Sequence, residues 1–201
     1  MAGGRKKITV IGLATFGEEL ARQLELAGAE VTALDMDALV IQQIRDEVSH
    51  AGVVDGRDID ALREFAVEQS DLVVIGIRSH LEMTILIILA LQDLGVKHIV
   101  ALASGVDEVR ALKRMGVDRV IFPELDIARR EAQLILNPQL TEYLELAEGY
   151  SIVEIAPPQE FVGHTIRELG VRERFGINIV AIRNHAKPGS RPFVPMPDHT
   201  I

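Results

Sequence analysis

A chain of 201 residues, 48% of them hydrophobic, carries enough apolar material for one ordinary domain with a proper core and a small second one. Its formal net charge of −9, with no basic stripe, argues against nucleic acid as a partner, because phosphate neutralisation by Lys and Arg supplies most of that affinity. With no cysteine there is no disulfide framework, thiolate nucleophile or Cys-based zinc site, which points to a cytosolic compartment.

The basic head Arg5-Lys6-Lys7 reads as a solvated leader to the first strand, and the short apolar run after it does not have the form of a signal peptide. Residues 8–17, Ile-Thr-Val-Ile-Gly-Leu-Ala-Thr-Phe-Gly, read as an apolar strand, a glycine turn and the start of a helix; residues 31–35 read as a second strand ending in Asp35. That order suits an adenine nucleotide. The turn offers backbone N–H groups to phosphate at a helix N-terminus, and the acid can accept from a ribose diol. Asp35 follows Gly12 at close to the ~20 residues expected of such a unit. Gly12-x-Ala14-x-x-Gly17 departs from the full fingerprint at Ala14, where a glycine would let the backbone approach a pyrophosphate most closely. The competing reading is a strand-to-helix turn that merely needs glycine dihedrals.

Glu18 and Glu19 open the first helix where its dipole favours acids, and Leu20, Leu24 and Ala27 mark an inward stripe ending at Gly28. A second helix is expected from Asp37 as cap through Leu39, Val40, Ile44 and Val48. A short strand at 52–54, a polar turn at 55–58 and a helix turning Leu62, Phe65 and Ala66 inward follow. Asp58 and Asp60 read as caps of that helix rather than catalytic acids. Strands at 71–77, 98–103 and 119–122, separated by helices from Leu81 and over 106–115, complete the alternation. It implies parallel strands joined by helical crossovers, an α/β Rossmann-like doubly wound sheet. Ligands bind such sheets at the carboxyl ends of strands, where Gly12, Asp35, Asp55 and Arg78 all fall.

Residues 83–91 are the most apolar run, about half the length of a bilayer crossing, and Gln92, Asp93 and Gly95 close it. Apolar around most of its circumference, this helix calls for a covering partner, so a homodimer or larger ring is expected, with Ile87 and Ile88 as residues whose replacement by Glu would open an interface. Beyond Phe122 a helix at 124–136 is stopped by Asn137-Pro138, and a second helical stretch at 140–146 ends at Glu148-Gly149. From Ser151 the pattern turns strand-like, with strands at 151–155 and 178–183 and one or two helical turns at 165–169, a small α+β unit. The six histidines show no i, i+4 pair and read as solvated; Ser104 and Ser151 have no visible base.

Val10–Gly17, Leu34-Asp35, Val54-Asp-Gly-Arg-Asp58, Lys113-Arg-Met-Gly-Val-Asp-Arg-Val-Ile-Phe-Pro-Glu124 and Tyr150-Ser-Ile-Val-Glu154 together resemble the TrkA/KtrA family of cytoplasmic potassium-uptake regulatory subunits, built of RCK domains. The resemblance implies a nucleotide-binding RCK domain over 1–136 including a crossover helix, a helical linker over 137–150 that completes a crossover helix pair, and a small C-terminal domain over 151–201, stopping before the last strand expected in relatives. It implies a regulator rather than an enzyme. The partners would be a membrane potassium channel or transporter and further copies in a homodimer or octameric ring, peripheral at the inner face of the cell membrane. Carried over by position, Gly12, Ala14, Thr15, Phe16 and Gly17 form the phosphate loop, Asp35 holds the ribose, Asp55 and Gly56 flank the adenine, and Arg78 lies near the phosphates. Relatives that discriminate ATP carry Arg at the position of Thr15 and Lys near that of Leu102, so ADP, ATP and NAD(H) all stay open as cofactor. Glu124 matches an acid that holds a divalent cation between subunits; the competing reading is an exposed acid opening a helix. Ile166 and Arg172 match positions that recognise cyclic di-AMP in some relatives. The alternative function is an NAD(P)-dependent oxidoreductase, for which the second unit offers only His164 and His185 as acid/base groups.

Overall fold

The computed structural model describes residues 4–78, 80–184 and 189–201. Strands β1 (Lys7–Ile11), β2 (Glu30–Asp35), β3 (His50–Val53), β4 (Leu72–Ile75), β5 (Ile99–Leu102) and β6 (Arg119–Ile121) form one sheet in the order β3-β2-β1-β4-β5-β6. All five neighbouring pairs are parallel, so the chain returns between strands through helical crossovers. These use α1 (Thr15–Leu26), α2 (Ala38–Ile44), α3 (Ile59–Glu64), α4 (Leu81–Asp93) and α5 (Val106–Arg114). The order reverses between β1 and β4, the switch point at which doubly wound sheets take ligands.

Strands covered on both faces must be apolar on both, and side chains alternate accordingly. Val10, Val31, Ala33 and Val74 point to one face, where they pack with Ala21 of α1 and Ile41 and Ile44 of α2. Ile11, Leu34, Val73, Ile75 and Ile99 point to the other, against Leu62 of α3, Ile87, Ile88 and Leu91 of α4, and Leu112 of α5. Each fully buried aliphatic side chain contributes about 1.5–3 kcal/mol. Ile87 and Ile88 are thus the subunit's own core, and a Glu at either would break this fold before any interface. The outward apolar residues of α4 are Leu86 and Leu89, 40% and 46% exposed. In a helix this uniformly apolar, residue type does not reveal which face meets the sheet.

Two aspartates start helices at the carboxyl edge. Asp37 accepts from the Leu39 N–H at 2.8 Å and caps α2; Asp58 accepts from the Asp60 and Ala61 N–H groups at 3.0 and 3.2 Å and caps α3. Asp60 sits in the first turn of α3 and pairs with Arg63 at 3.0 Å.

Compactness divides the chain between Ala128 and Arg129, inside α6 (Pro123–Leu136). None of the residues of α6 is buried, and Ile127, Ile135 and Leu136 are exposed. The helix expected at 140–146 is instead a strand. β7 (Leu140–Ala147) pairs antiparallel with β8 (Tyr150–Ile155), Tyr143 facing Val153 and Leu144 facing Ile152. There is accordingly no crossover helix pair and no helical linker at 137–150: α6 runs singly into a hairpin. Leu and Glu favour a helix locally, but cross-strand aromatic and β-branched pairs override that preference, and Gly149 at φ 79° closes the turn. The strand expected at 178–183 reduces to one bridge between Ile182 and Phe193. Further on lie α7 (Ile166–Leu169), opened by a reciprocal Thr165–Glu168 capping box, and α8 (Val171–Phe175). Phe161, Leu169 and Val171 form a small core there with Ile166, Ile179 and Ile201.

Glu25 of α1 fastens the amino edge of the sheet. Its carboxylate accepts from the Val31 N–H at 3.1 Å and from the Ser49 N–H and Oγ at 2.9 Å each, and it pairs with Arg5. Burial penalises the charged form, yet the bonds from Arg5, Ser49 and Val31 outweigh that and hold the carboxyl below its ordinary range. A depressed folded-state value contributes stability that is present above the unfolded pKa and lost as pH falls through the folded one. Glu25→Gln should therefore flatten the loss of thermal stability as pH falls below the ordinary glutamate range, measured by scanning calorimetry. Parallel curves for the two proteins would contradict this role.

Candidate functional site

The site begins where β1, α1 and the end of β4 come together. Gly12 has φ 90°, a conformation L side chains rarely adopt, and its N–H donates to the Leu34 carbonyl at 2.8 Å. A Cβ on Gly17 would lie 2.0 Å from the Gly12 carbonyl oxygen, and one on Gly76 would lie 2.4 Å from the same atom and 3.1 Å from the Gly17 Cα. Three glycines thus pack backbone to backbone. Gly12 and Gly17 are legible from the fingerprint; Gly76 is not, its only signal being a glycine directly after an apolar strand.

Ala14 is the N-cap of α1 and supplies no side-chain cap, while Glu18 is the first residue whose N–H enters the ladder, donating to the Ala14 carbonyl at 3.0 Å. The N–H groups of the opening turn, at Thr15, Phe16 and Gly17, have no place in that ladder and carry the positive end of the helix dipole. Such a turn binds anions.

Asp35 is clamped beside it. Its Oδ2 accepts from the Leu13 N–H at 2.6 Å and its Oδ1 from the Asp37 N–H at 2.8 Å, so one carboxylate ties the glycine turn to the start of α2. A cleft of about 120 Å³ opens here, lined by Gly12, Asp35 and Gly56 and walled by Met36, Val54, Ile77 and Met83. It is small beside the ~300–1,000 Å³ of drug-sized sites, and its walls suit a flat heterocycle. A Cβ on Gly56 would come within 2.8 Å of Ile11 and 3.0 Å of Ile87, so glycine keeps this wall low. Met36, Ile77 and Met83 escape a sequence reading, because an apolar residue beside a functional one carries no signature. A larger groove of about 640 Å³ lies at the amino edge, among Lys7, Glu30, His50 and Ser70, and shares none of these residues.

Asp55 and Arg78 follow β3 and β4, which β2 and β1 separate in the sheet, and neither lines the cleft. The Arg57 guanidinium grips Asp55 in a fork, Nε to Oδ1 at 2.9 Å and Nη2 to Oδ2 at 2.6 Å, and holds its carboxyl below the ordinary range. Arg78 pairs with Glu124 in the first turn of α6. Thr15 is exposed, and Leu102 is buried in the sheet. Among the described residues no group of three or more His, Asp or Glu side chains could hold a metal ion. His50, His98 and His164 each face one carboxylate, Glu30 at 3.7 Å, Asp118 at 3.5 Å and Glu168 at 3.9 Å. His185 lies outside the described residues. Ile166 packs on the small core of the second unit, and Arg172 is exposed on α8.

Because the contact at Gly76 is with backbone, neither partner can move aside cheaply. Gly76→Ala should lower unfolding free energy by about 1–3 kcal/mol in a denaturant titration. An unchanged midpoint would contradict the close approach.

Residues 8–123 match the TrkA-N domain and residues 150–201 the TrkA-C domain. The chain is 35% identical over 179 residues to Ktr system potassium uptake protein C of Bacillus subtilis (strain 168), covering 89% of this chain and 81% of that protein. It is 28% identical over 180 residues to Ktr system potassium uptake protein A of the same organism, covering 90% and 81%. Among solved structures, the GsuK channel superposes with a TM-score of 0.70 at 16% identity, over 100% of this chain and 36% of that one. The GsuK channel bound to NAD gives 0.67 at 16% identity over the same shares, and GsuK bound to ADP gives 0.56 at 15% identity over 68% and 36%. At such identities the structures establish a shared fold. No helix among the described residues is long and apolar enough to cross a membrane. With both domain models matched in order, and with a relative 35% identical over most of both lengths, the chain belongs to the TrkA/KtrA family of potassium-uptake regulatory subunits built from RCK domains.

Proposed function

We propose that this chain is the regulatory subunit of a membrane potassium channel or transporter, binding an adenine nucleotide in the Gly12–Asp35 cleft and acting on its membrane partner from the cytoplasmic side. The observation that carries the reading is the Asp35 carboxylate, fixed between the uncapped start of α1 and a narrow apolar slot. Phosphate goes to the N–H groups of residues 14–17, the ribose diol to Asp35, and the base between Gly56 and the Met36 and Met83 walls. Asp55 shapes the Gly56 turn through its fork with Arg57, and Arg78 reaches the phosphates.

The similarity to Ktr potassium uptake proteins favours a regulator over an NAD(P)-dependent oxidoreductase, and GsuK bound to NAD and to ADP favours an adenine nucleotide. Arg57 and Arg78 are each already paired with a carboxylate. That pairing favours a ligand with few phosphate charges, NAD(H) or ADP, over ATP. Domains at 1–136 and 151–201 fit this scheme, with 137–150 supplying all of β7 and the turn that follows it. A divalent cation at Glu124 and cyclic di-AMP near Ile166 and Arg172 are finer elements of the same proposal. Assembly into a dimer or ring would cover Leu86 and Leu89 on α4 and Ile127, Ile135 and Leu136 on α6, apolar surface that a monomer leaves in water.

Nucleotide that binds only the folded state stabilises it by about 2.7 kcal/mol at a hundredfold excess over Kd. NADH and ADP should raise the melting temperature, and Asp35→Asn, which keeps an acceptor for Leu13, should remove the shift. An undiminished shift for both would place the ligand elsewhere.

For the assembly, Leu86→Glu with Leu89→Glu should reduce the mass measured by light scattering while far-UV circular dichroism stays native. A mass unaltered by both changes would exclude α4 from the interface.

A further inference from the structure

We infer that the Met36 thioether is a modification site in the wall of the Gly12–Asp35 cleft, and that its conversion to the sulfoxide by hydrogen peroxide loosens the hold on the nucleotide base. The nucleotide reading above is its premise; the addition is a regulation of that same cleft. The chain has five methionines and no cysteine, so thioethers are its only oxidisable sulfur. Two of the five, Met36 and Met83, line this one cleft. Met36 is 52% exposed. Met83, in the first turn of α4, is half-buried and packs against the core on that face of the sheet. A small oxidant arriving through water therefore meets the Met36 sulfur first. The backbone at Met36 is also held on both sides. Asp35 before it accepts from the Leu13 and Asp37 N–H groups, and Asp37 after it caps α2, so the side chain starts from a fixed point on the cleft wall.

In the oxidation a sulfur lone pair attacks one oxygen of hydrogen peroxide. The S–O bond forms, the O–O bond breaks, and the departing oxygen takes up the proton of the transferred one and leaves as water. Sulfur gives up two electrons and the peroxide gains them, with no further co-reactant. A thioether sits favourably against an aromatic ring. The sulfoxide that replaces it is polar and chiral, with an oxygen that accepts hydrogen bonds. Against a base in a cleft of about 120 Å³ that oxygen loses its water, and the neighbouring walls Val54, Ile77 and Met83 have no side-chain donor to replace it. Sulfoxide reductases, one for each epimer, return the thioether, so the change is a switch as well as a lesion.

Peptide mapping and titration calorimetry of the full chain test this, with hydrogen peroxide removed before each titration. Mapping should show sulfoxide at Met36 ahead of the half-buried Met83 and Met115. Saturating ADP should slow the oxidation of Met36 by about threefold or more and leave unaltered that of Met196, 76% exposed in the second unit. Peroxide treatment should weaken the binding of ADP and of NAD by about tenfold, and the pair of sulfoxide reductases should restore it. Met36→Leu keeps an apolar wall without the sulfur. Whatever affinity that variant has untreated, peroxide should change it by less than about twofold, and since every other methionine is common to both proteins the difference isolates Met36. Met36→Gln, polar and of similar length, should weaken binding without any oxidant. Unchanged or tighter binding by the treated chain overturns the inference, as does an equal loss in Met36→Leu or a Met36 oxidation rate indifferent to bound ADP. If the untreated chain takes up neither ADP nor NAD, the nucleotide reading fails beneath this one; if it binds them and peroxide leaves the affinity alone, only the role of Met36 fails.

Discussion

Everything at the ligand edge depends on how closely the backbones of Gly12, Gly17 and Gly76 approach. A single Cβ at Gly17 or Gly76 would penetrate the Gly12 carbonyl, so the turn after β1 can seat α1 on the end of β4 only with hydrogen at those positions. That contact fixes the direction of α1, and with it the direction in which the unpaired N–H groups of its first turn point. It also sits at the one place where strand order reverses, between β1 and β4. The crevice is a consequence of topology, and the glycines allow β1, α1 and the end of β4 to meet beside it.

The second constraint is electrostatic. A carboxylate beside a phosphate site is unfavourable unless something compensates it, and Asp35 is compensated by the N–H groups of Leu13 and Asp37. Its charge is spent on holding the turn and the start of α2 together, leaving lone pairs for hydroxyl donors. The same economy recurs around the cleft, where Asp55 is neutralised by Arg57 and Arg78 by Glu124. The site therefore presents little net positive side-chain charge of its own beyond the N–H groups at the start of α1.

The alternation of apolar runs and helical patterns, with Asp35 ~20 residues past Gly12, is enough to read the parallel sheet and two of the cleft residues, Gly12 and Asp35, because local chemistry dictates each; Gly56 is reached only through the family resemblance. Gly76 and the Met36, Ile77 and Met83 walls were not legible, since their meaning lies in what packs against them from distant parts of the chain. The Arg78–Glu124 pair spans 46 residues and has no sequence pattern at all. Asp55–Arg57, two apart in a turn, could have been read. The hairpin β7–β8 shows the converse failure. Leu140, Tyr143 and Leu144 satisfy a helical period, and only the partners Val153 and Ile152 across the turn make them a strand. Ile87 and Ile88 misled for a related reason, because a helix apolar on all sides hides which face is inside.

The measurement that bears most directly on the central claim is native mass spectrometry of the full chain, first as purified without added ligand and then after addition of NADH or ADP in turn. The account predicts one adenine nucleotide per subunit, either carried through purification or taken up on addition. Subunits that keep their bare mass under every one of these conditions would contradict it.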